Sequence, residues 1–294
     1  MSALTGVLLM AYGTPRNVDE VEAFYTDIRG GRPPTPELLA KLRARYEAVG
    51  GSTPLLDVSR RQAEALEEAL GPGFRVFLGM RHWQPYIRDA VAAMEAAGIR
   101  RAVALALAPH YSALSVGAYM QAVEDGGSHI AFHQVRGWHL QPAYLQALAD
   151  RVRTASAGFE PEVVVFTAHS LPRHILESGD PYPDQLRETS EALAKRLALR
   201  RWQFAYQSAG ATGDAWLGPD ILETIDQLAG DGVRRVLAAP IGFISDHLEI
   251  LYDLDVQARQ RAAAHGLELR RTESLNDVPK LIQALKTAVL EALG

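Results

Sequence analysis

The stretch Val163-Val164-Val165-Phe166-Thr167-Ala168-His169-Ser170-Leu171-Pro172 is a β-branched apolar run that stops in a histidine, a hydroxyl residue and a proline. Val163 to Phe166 has the length and side chains of a strand buried on both faces, as in parallel sheets, and Pro172 forbids simple continuation. The reading therefore puts His169 at the carboxyl end of a central strand, where open α/β sheets bind their ligands. One such histidine alone is equally well a satisfied, partly buried residue.

A second stretch changes that balance. Pro240-Ile241-Gly242-Phe243-Ile244-Ser245-Asp246-His247-Leu248-Glu249 is again a strand end followed by a polar turn, and it runs into a helix. With Ser245 or Asp246 as N-cap and Glu249 in the first turn, the start has the character of a capping box. Glu249, Asp253 and Gln257 then recur every four residues and share one helix face. Two carboxylates in a stripe beside a histidine suit the handling of a divalent cation; a solvated helix face would carry the same pattern.

Composition narrows the classes. The chain has 294 residues, enough for two ordinary domains, and 48% hydrophobic residues, enough for two cores. A formal net charge of −5 points to neither nucleic acid nor an anionic membrane surface. With no cysteine, disulfides, thiolate metal sites and cysteine-ligated iron–sulfur clusters are excluded. The first ten residues lack a basic start, and no run approaches the about 18 apolar residues of a membrane span, so a cytoplasmic protein is expected.

Strands are expected at Gly6 to Ala11 and near Arg75 to Leu78, Ala102 to Ala108, Ile130 to Val135, Val163 to Phe166, Gln203 to Tyr206, Val233 to Ala239 and Leu267 to Arg271. Helical patterns fall between most of them. Apolar strands alternating with amphipathic helices mean parallel sheets covered on both faces. The halves also resemble each other: Met10-Ala11-Tyr12-Gly13-Thr14-Pro15 aligns with Thr167-Ala168-His169-Ser170-Leu171-Pro172, and Gly98-Ile99-Arg100-Arg101 with Gly232-Val233-Arg234-Arg235. The expected fold is α/β, two doubly wound domains, each with a four-stranded parallel sheet, around a cleft. Residues 1–112 with 276–294 would form the first domain and 113–275 the second, the last helix folding back on the first.

Arg29, Arg32, Lys41, Arg43 and Arg45 cluster against the single acid Glu37. Arginine forks pair carboxylates two bonds at a time, so this segment suits a carboxylate-bearing ligand, or else forms a basic solvated face. Tyr111, Ser112, Ser115 and Tyr119 follow a strand end, where rings either stack on a planar ligand or pack in the core. His82 offers another strand-end imidazole with no named partner. Gly179-Asp180-Pro181-Tyr182-Pro183 and Trp216-Leu217-Gly218-Pro219-Asp220 read as rigid scaffold turns. Ala209-Gly210-Ala211-Thr212-Gly213 matches no phosphate-binding loop, and His169-Ser170 lacks the nucleophile elbow of a serine hydrolase.

The chain resembles the ferrochelatases from Leu8 to near its C-terminus. The matching motifs are Ala11-Tyr12-Gly13-Thr14-Pro15, Arg45-Tyr46 with Gly50-Gly51-Ser52-Thr53-Pro54-Leu55, Phe166 to Pro172, Gly179 to Pro183, Tyr206-Gln207-Ser208 with Trp216-Leu217-Gly218-Pro219, and Gly242 to Glu249. Its short, cysteine-free form and the Tyr12 and Arg29 segments look most like the soluble monomeric enzymes that insert ferrous iron into coproporphyrin III. The resemblance implies that His169 and Glu249 are catalytic and face the porphyrin from one side. His169, Glu249 and Asp253 would handle the metal, while Tyr12, Arg29, Arg45, Tyr46, Thr53 and Tyr119 would hold the macrocycle or its propionates. Where the family often has a further acid this chain has Gln257, which leaves an outer metal site without that ligand. The resemblance further implies no permanently bound cofactor, ferrous iron as substrate, and transient contact with a downstream haem-pathway enzyme. Alternatives are a protoporphyrin IX ferrochelatase, a non-catalytic porphyrin or haem carrier, and a cobalt or nickel chelatase, since nitrogen and oxygen ligands do not select iron.

Overall fold

A computed structural model describes residues 4–210 and 213–294; Ala211 and Thr212 of the expected non-motif loop, and residues 1–3 of the expected first domain, lie outside the described residues. The chain runs β1 (Thr5–Ala11), α1 (Val21–Ile28), α2 (Pro36–Ala48), α3 (Leu55–Leu70), β2 (Phe74–Met80), α4 (Ile87–Ala96), β3 (Arg101–Ala106), α5 (Ala118–Asp125), β4 (Ala131–Val135) and α6 (Pro142–Ser156). It continues through β5 (Val163–His169), α7 (Tyr182–Leu197), β6 (Trp202–Gln207), α8 (Ile221–Gly230), β7 (Arg235–Pro240), α9 (Arg259–Ala264), β8 (Glu268–Arg271) and α10 (Pro279–Glu291).

Two four-stranded parallel sheets result, ordered β2-β1-β3-β4 and β6-β5-β7-β8. The same order in each half gives the sequence duplication a structural counterpart: β1 and β5 occupy equivalent places, as do β3 and β7. The aligned Gly98 and Gly232 both take left-handed backbone, φ 77° and 80°, ending α4 and α8 before the strands they feed. The segment boundary needs correction, because β4 pairs with β3 in the first sheet. That half therefore reaches at least Val135 and does not stop at 112; sequence order alone could not tell which sheet a short strand between two helices would join.

The inner strands are sealed. Val163 through Ala168 are all buried, as are Val7 to Ala11. The largest core cluster runs from Val7 and Leu9 to Phe166 and Leu237, so the halves share one apolar interior. The last helix returns to the first half: Lys286 Nζ donates to the Ala69 carbonyl at 2.7 Å, and Arg101 Nη2 donates to the Leu293 carbonyl at 2.9 Å. Among the described residues no helix is long and apolar enough to cross a membrane.

The helix after β7 is not the expected α-helix. Ile250–Ala258 is a π-helix, and the cap at its far end shows the wider pattern, the Arg259 N–H bonding to the Leu254 carbonyl. Nor is Asp246 an N-cap: its carboxylate accepts from Ser274 Oγ at 2.7 Å and Asn276 Nδ2 at 3.1 Å, and it pairs with Arg271 at 3.2 Å. The turn is pinned to the β8 side of the sheet, and Glu249 stands where the wide helix begins.

Gly242 has no room to be anything else. A Cβ there would lie 2.5 Å from Ala168 Cβ and 3.0 Å from its Cα, so the strand carrying His169 would have to move. Gly242→Ala is expected to cost about 1–3 kcal/mol through overpacking, read from urea unfolding, with a loss of turnover larger than the stability change explains.

Candidate active site

The carboxyl ends of β5 and β7 put two side chains together. His169 is the last residue of β5, and its Nε2 lies 3.3 Å from Glu249 Oε1, each side chain about a third exposed, 30% and 32%. His169 Nδ1 contacts the Ser170 carbonyl, which only accepts, so that nitrogen carries a proton. A neutral ring would then turn a bare Nε2 lone pair on Glu249. Burial opposes a charge on His169, but the Glu249 carboxylate outweighs it, and its pKa is pushed up to about 9. In turn, burial raises the Glu249 carboxyl, yet His169 and then His247, at 3.6 Å, hold it well below the usual carboxylate range. The resting pair is an imidazolium beside a carboxylate.

The frame around His169 explains its position. Tyr182 Oη donates to the His169 carbonyl at 3.0 Å, Ser170 Oγ to the Leu217 carbonyl at 2.8 Å, and the Ser170 N–H to the Gln207 carbonyl at 2.7 Å. The two proline-rich turns are scaffold, as read: Asp180 accepts from Ser112 Oγ at 2.9 Å and the Ala113 N–H at 2.8 Å, fastening α7 to the first half. The rings of Phe243 and Trp216 lie 6.2 and 6.4 Å from that of His169.

The residues expected to hold a macrocycle divide by location. Tyr12, at the end of β1, is 43% exposed, and its ring stands edge-on to His82 at 4.8 Å. Burial and then the field of the Glu249 carboxylate push the pKa of its hydroxyl up. Arg29 is partly exposed at the end of α1, with no ion pair among the described residues and its guanidinium 5.8 Å from the Tyr25 ring centre. Thr53 bonds Thr14 Oγ1 at 2.9 Å, which lies 3.4 Å from Tyr46 Oη. Tyr46 is itself only 2% exposed, packed with Val21 and Leu248. Tyr119 is likewise core, 6% exposed beside Met120 and Val123.

Arg45 and Asp253, which sequence reading assigns to propionates and to metal, are bonded to each other. Ser208 Oγ donates to the other Asp253 oxygen, and Tyr252 lies under the Arg45 guanidinium at 4.7 Å. Burial raises the Asp253 pKa to about 6 despite Arg45, with Glu249 adding to the rise. Sequence reading also leaves His82 without a partner; Asp27 Oδ1 is 2.8 Å from its Nδ1. His247 and Ser208 it does not single out, although both fall inside quoted motifs.

Two parallel sheets whose carboxyl edges meet over one cleft define a chelatase-type α/β fold. The sirohydrochlorin chelatase SirB from Bacillus subtilis subspecies spizizenii, solved in complex with cobalt, superposes with a TM-score of 0.60 at 11% identity over 98% of this chain and 95% of that one. CbiX, the terminal enzyme of sirohaem biosynthesis in denitrifying bacteria, gives 0.57 at 14% identity over 98% and 100%. The ferrochelatase family model matches residues 4–293, and the chain belongs to the ferrochelatase family. Relatives include the ferrochelatase of Herpetosiphon aurantiacus, 45% identical over 98% of this chain and 99% of its own. The coproporphyrin III ferrochelatases of Listeria innocua serovar 6a and Anoxybacillus flavithermus are 38% and 41% identical, over 99% and 98% of this chain and 99% and 96% of theirs.

The raised Asp253 pKa has a consequence for stability. Between its unfolded value, about 4, and about 6, the folded state binds the extra proton, so stability falls as pH rises through that window. Asp253→Asn should flatten that part of the profile, measured as urea midpoints at each pH; an unchanged slope would mean that Asp253 titrates normally.

Proposed function

We propose that this enzyme inserts ferrous iron into coproporphyrin III to give coprohaem. The observation that carries the reading is the His169–Glu249 pair, 3.3 Å apart at the sheet edge. The names of the Listeria and Anoxybacillus relatives support coproporphyrin as substrate. Protoporphyrin IX is the second reading, because the Herpetosiphon relative is named only as a ferrochelatase.

Insertion takes a hydrated divalent ion in and two pyrrole protons out. His169 Nε2 is the ligand that receives the ion, after the proton that Nε2 carries at rest has left to solvent. While the ion is held there its charge keeps Glu249 ionised; once the ion passes on to the ring, Glu249 faces a neutral imidazole and its proton affinity rises as the pyrrole protons leave. Glu249 is thus proton acceptor and carboxylate ligand in turn. Asp253, held by Arg45 and Ser208, is a station farther along the wide helix and shares the field of the pair.

Arg29, charged and unpaired on the rim, binds a propionate, and Tyr12 faces His169 across the ring. Thr53 contacts the substrate with Thr14 and Tyr46 behind it; Tyr46 and Tyr119 support the wall from the core. Arg45 acts chiefly through Asp253. The chain works as a soluble monomer in the cytoplasm and passes its product to a downstream enzyme of haem synthesis.

An anaerobic absorbance assay with ferrous iron separates the readings. His169→Ala should lose at least about a hundredfold in insertion rate, the scale of a lost acid–base group, while still quenching with bound coproporphyrin. Arg29→Ala should raise the KM for coproporphyrin more than that for iron. Faster turnover of protoporphyrin IX by the wild type would transfer the proposal to the second reading, and porphyrin binding without insertion would overturn both.

The pH dependence follows from the resting proton. Because Nε2 must shed it, kcat/KM for the metal should rise with pH toward about 9. Glu249→Gln, which removes the carboxylate that raises His169, should move the inflection down toward the ordinary imidazole range while lowering the maximum. Zinc can serve as the insertion metal where ferrous iron oxidises, and a profile that falls from pH 7 upward would contradict the proton assignment.

A further inference from the structure

Away from the insertion pair, two more histidines meet where the first sheet abuts α7. His110 follows β3 and is 2% exposed; His139 follows β4 and its side chain is 13% exposed. Their ring centres are 5.4 Å apart and the planes are inclined by 33°.

The hydrogen bonds fix both tautomers. Thr189 Oγ1 donates to the Gln185 carbonyl at 3.1 Å, so it accepts from His110, whose Nε2 lies 2.8 Å away and carries the hydrogen. His139 Nε2 lies 2.9 Å from Glu188 Oε2, a carboxylate, and so it too donates. In the neutral rings Nδ1 is then a bare lone pair on both residues. Each Nδ1 is buried, and neither has a hydrogen-bond partner among the described residues. Burial holds His110 in the neutral form.

Two buried, unpartnered acceptors on neighbouring rings call for a donor or a cation. The surroundings suit a cation. Gly137 leaves space beside His139 Nδ1: a Cβ built there would lie 3.7 Å from that nitrogen, 3.5 Å from Gln185 Oε1 and 3.6 Å from the Pro109 carbonyl. Oxygen donors therefore border the same gap. An ion about 2.1 Å from each nitrogen would sit roughly 3.2 Å from each ring centre, and centres at this spacing then subtend an angle of about 110°, close to tetrahedral. Behind the rings, Thr189 accepts the Nε2 hydrogen of His110 and Glu188 that of His139, the arrangement that orients metal-binding histidines.

We propose that His110 Nδ1 and His139 Nδ1 form a second binding site for a divalent transition-metal ion, separate from the insertion pair. Tyr182 connects the two places: its ring centre is 6.4 Å from that of His110, and its hydroxyl donates to the His169 carbonyl.

Cobalt(II) tests the site through its visible ligand-field absorption, without turnover. In the His169→Ala, Glu249→Gln background the full chain should still bind one equivalent of Co2+ with a tetrahedral spectrum. Adding His139→Ala should abolish that binding. Adding Glu188→Gln in its place, at a side chain that is 50% exposed, should weaken binding about 10- to 100-fold without disturbing the fold, judged by circular dichroism. If the background variant binds no Co2+, or Glu188→Gln and His139→Ala leave its binding unchanged, the gap holds water and the proposal is overturned.

Discussion

Glu249 keeps a negative charge in a cleft that burial would otherwise make it surrender, and it does so because His169 carries the opposite charge 3.3 Å away. Neither partner holds its state alone: without the carboxylate, burial would drive the imidazole neutral; without the imidazolium, it would drive the carboxylate toward protonation. The rest of the second half serves this pair. Buried β5 delivers the histidine, Gly242 lets β7 turn tightly beneath it, and the Ser170 carbonyl fixes its tautomer. The π-helix then begins beside Glu249.

A second charged pair lies one turn farther and solves a different problem. Asp253 is buried more deeply than Glu249, and its partner Arg45 comes from the other half of the molecule. With Leu248 packed on Val21 and Tyr46, this bridge ties the π-helix to α2. The helix bearing the carboxylates is thus registered against the wall bearing Thr14, Thr53 and Tyr12. An arginine so engaged is a poor free anchor for a carboxylate ligand, whereas Arg29 makes no ion pair among the described residues.

What was legible in the sequence was whatever depends on local pattern. Apolar strands ending in polar turns located His169 and Glu249, because strand direction alone places such residues at the ligand-binding edge. Tyr119 shows the limit: an aromatic one helical turn beyond Ser115 reads as ligand or core, and only packing shows it buried in the core. The Arg45–Asp253 bridge joins residues 208 positions apart, each of which reads alone as an ordinary helix-face charge. The π-helix was hidden as well, since residues four apart stay nearly in line whether the turn is α or π. The β4 assignment failed because pairing between strands is a tertiary choice that a short strand does not announce.

The two halves share one topology and differ in what they set at the equivalent edge. β1 ends in Tyr12, Gly13 and Thr14, neutral hydroxyls and a tight turn; β5 ends in His169, Ser170 and Leu171, with charge at the same place. A symmetric pair of imidazolium edges would repel across the cleft, and a pair of hydroxyl edges would have no group able to exchange protons near neutral pH. The differing residues at the two equivalent strand ends supply one neutral wall and one charged wall.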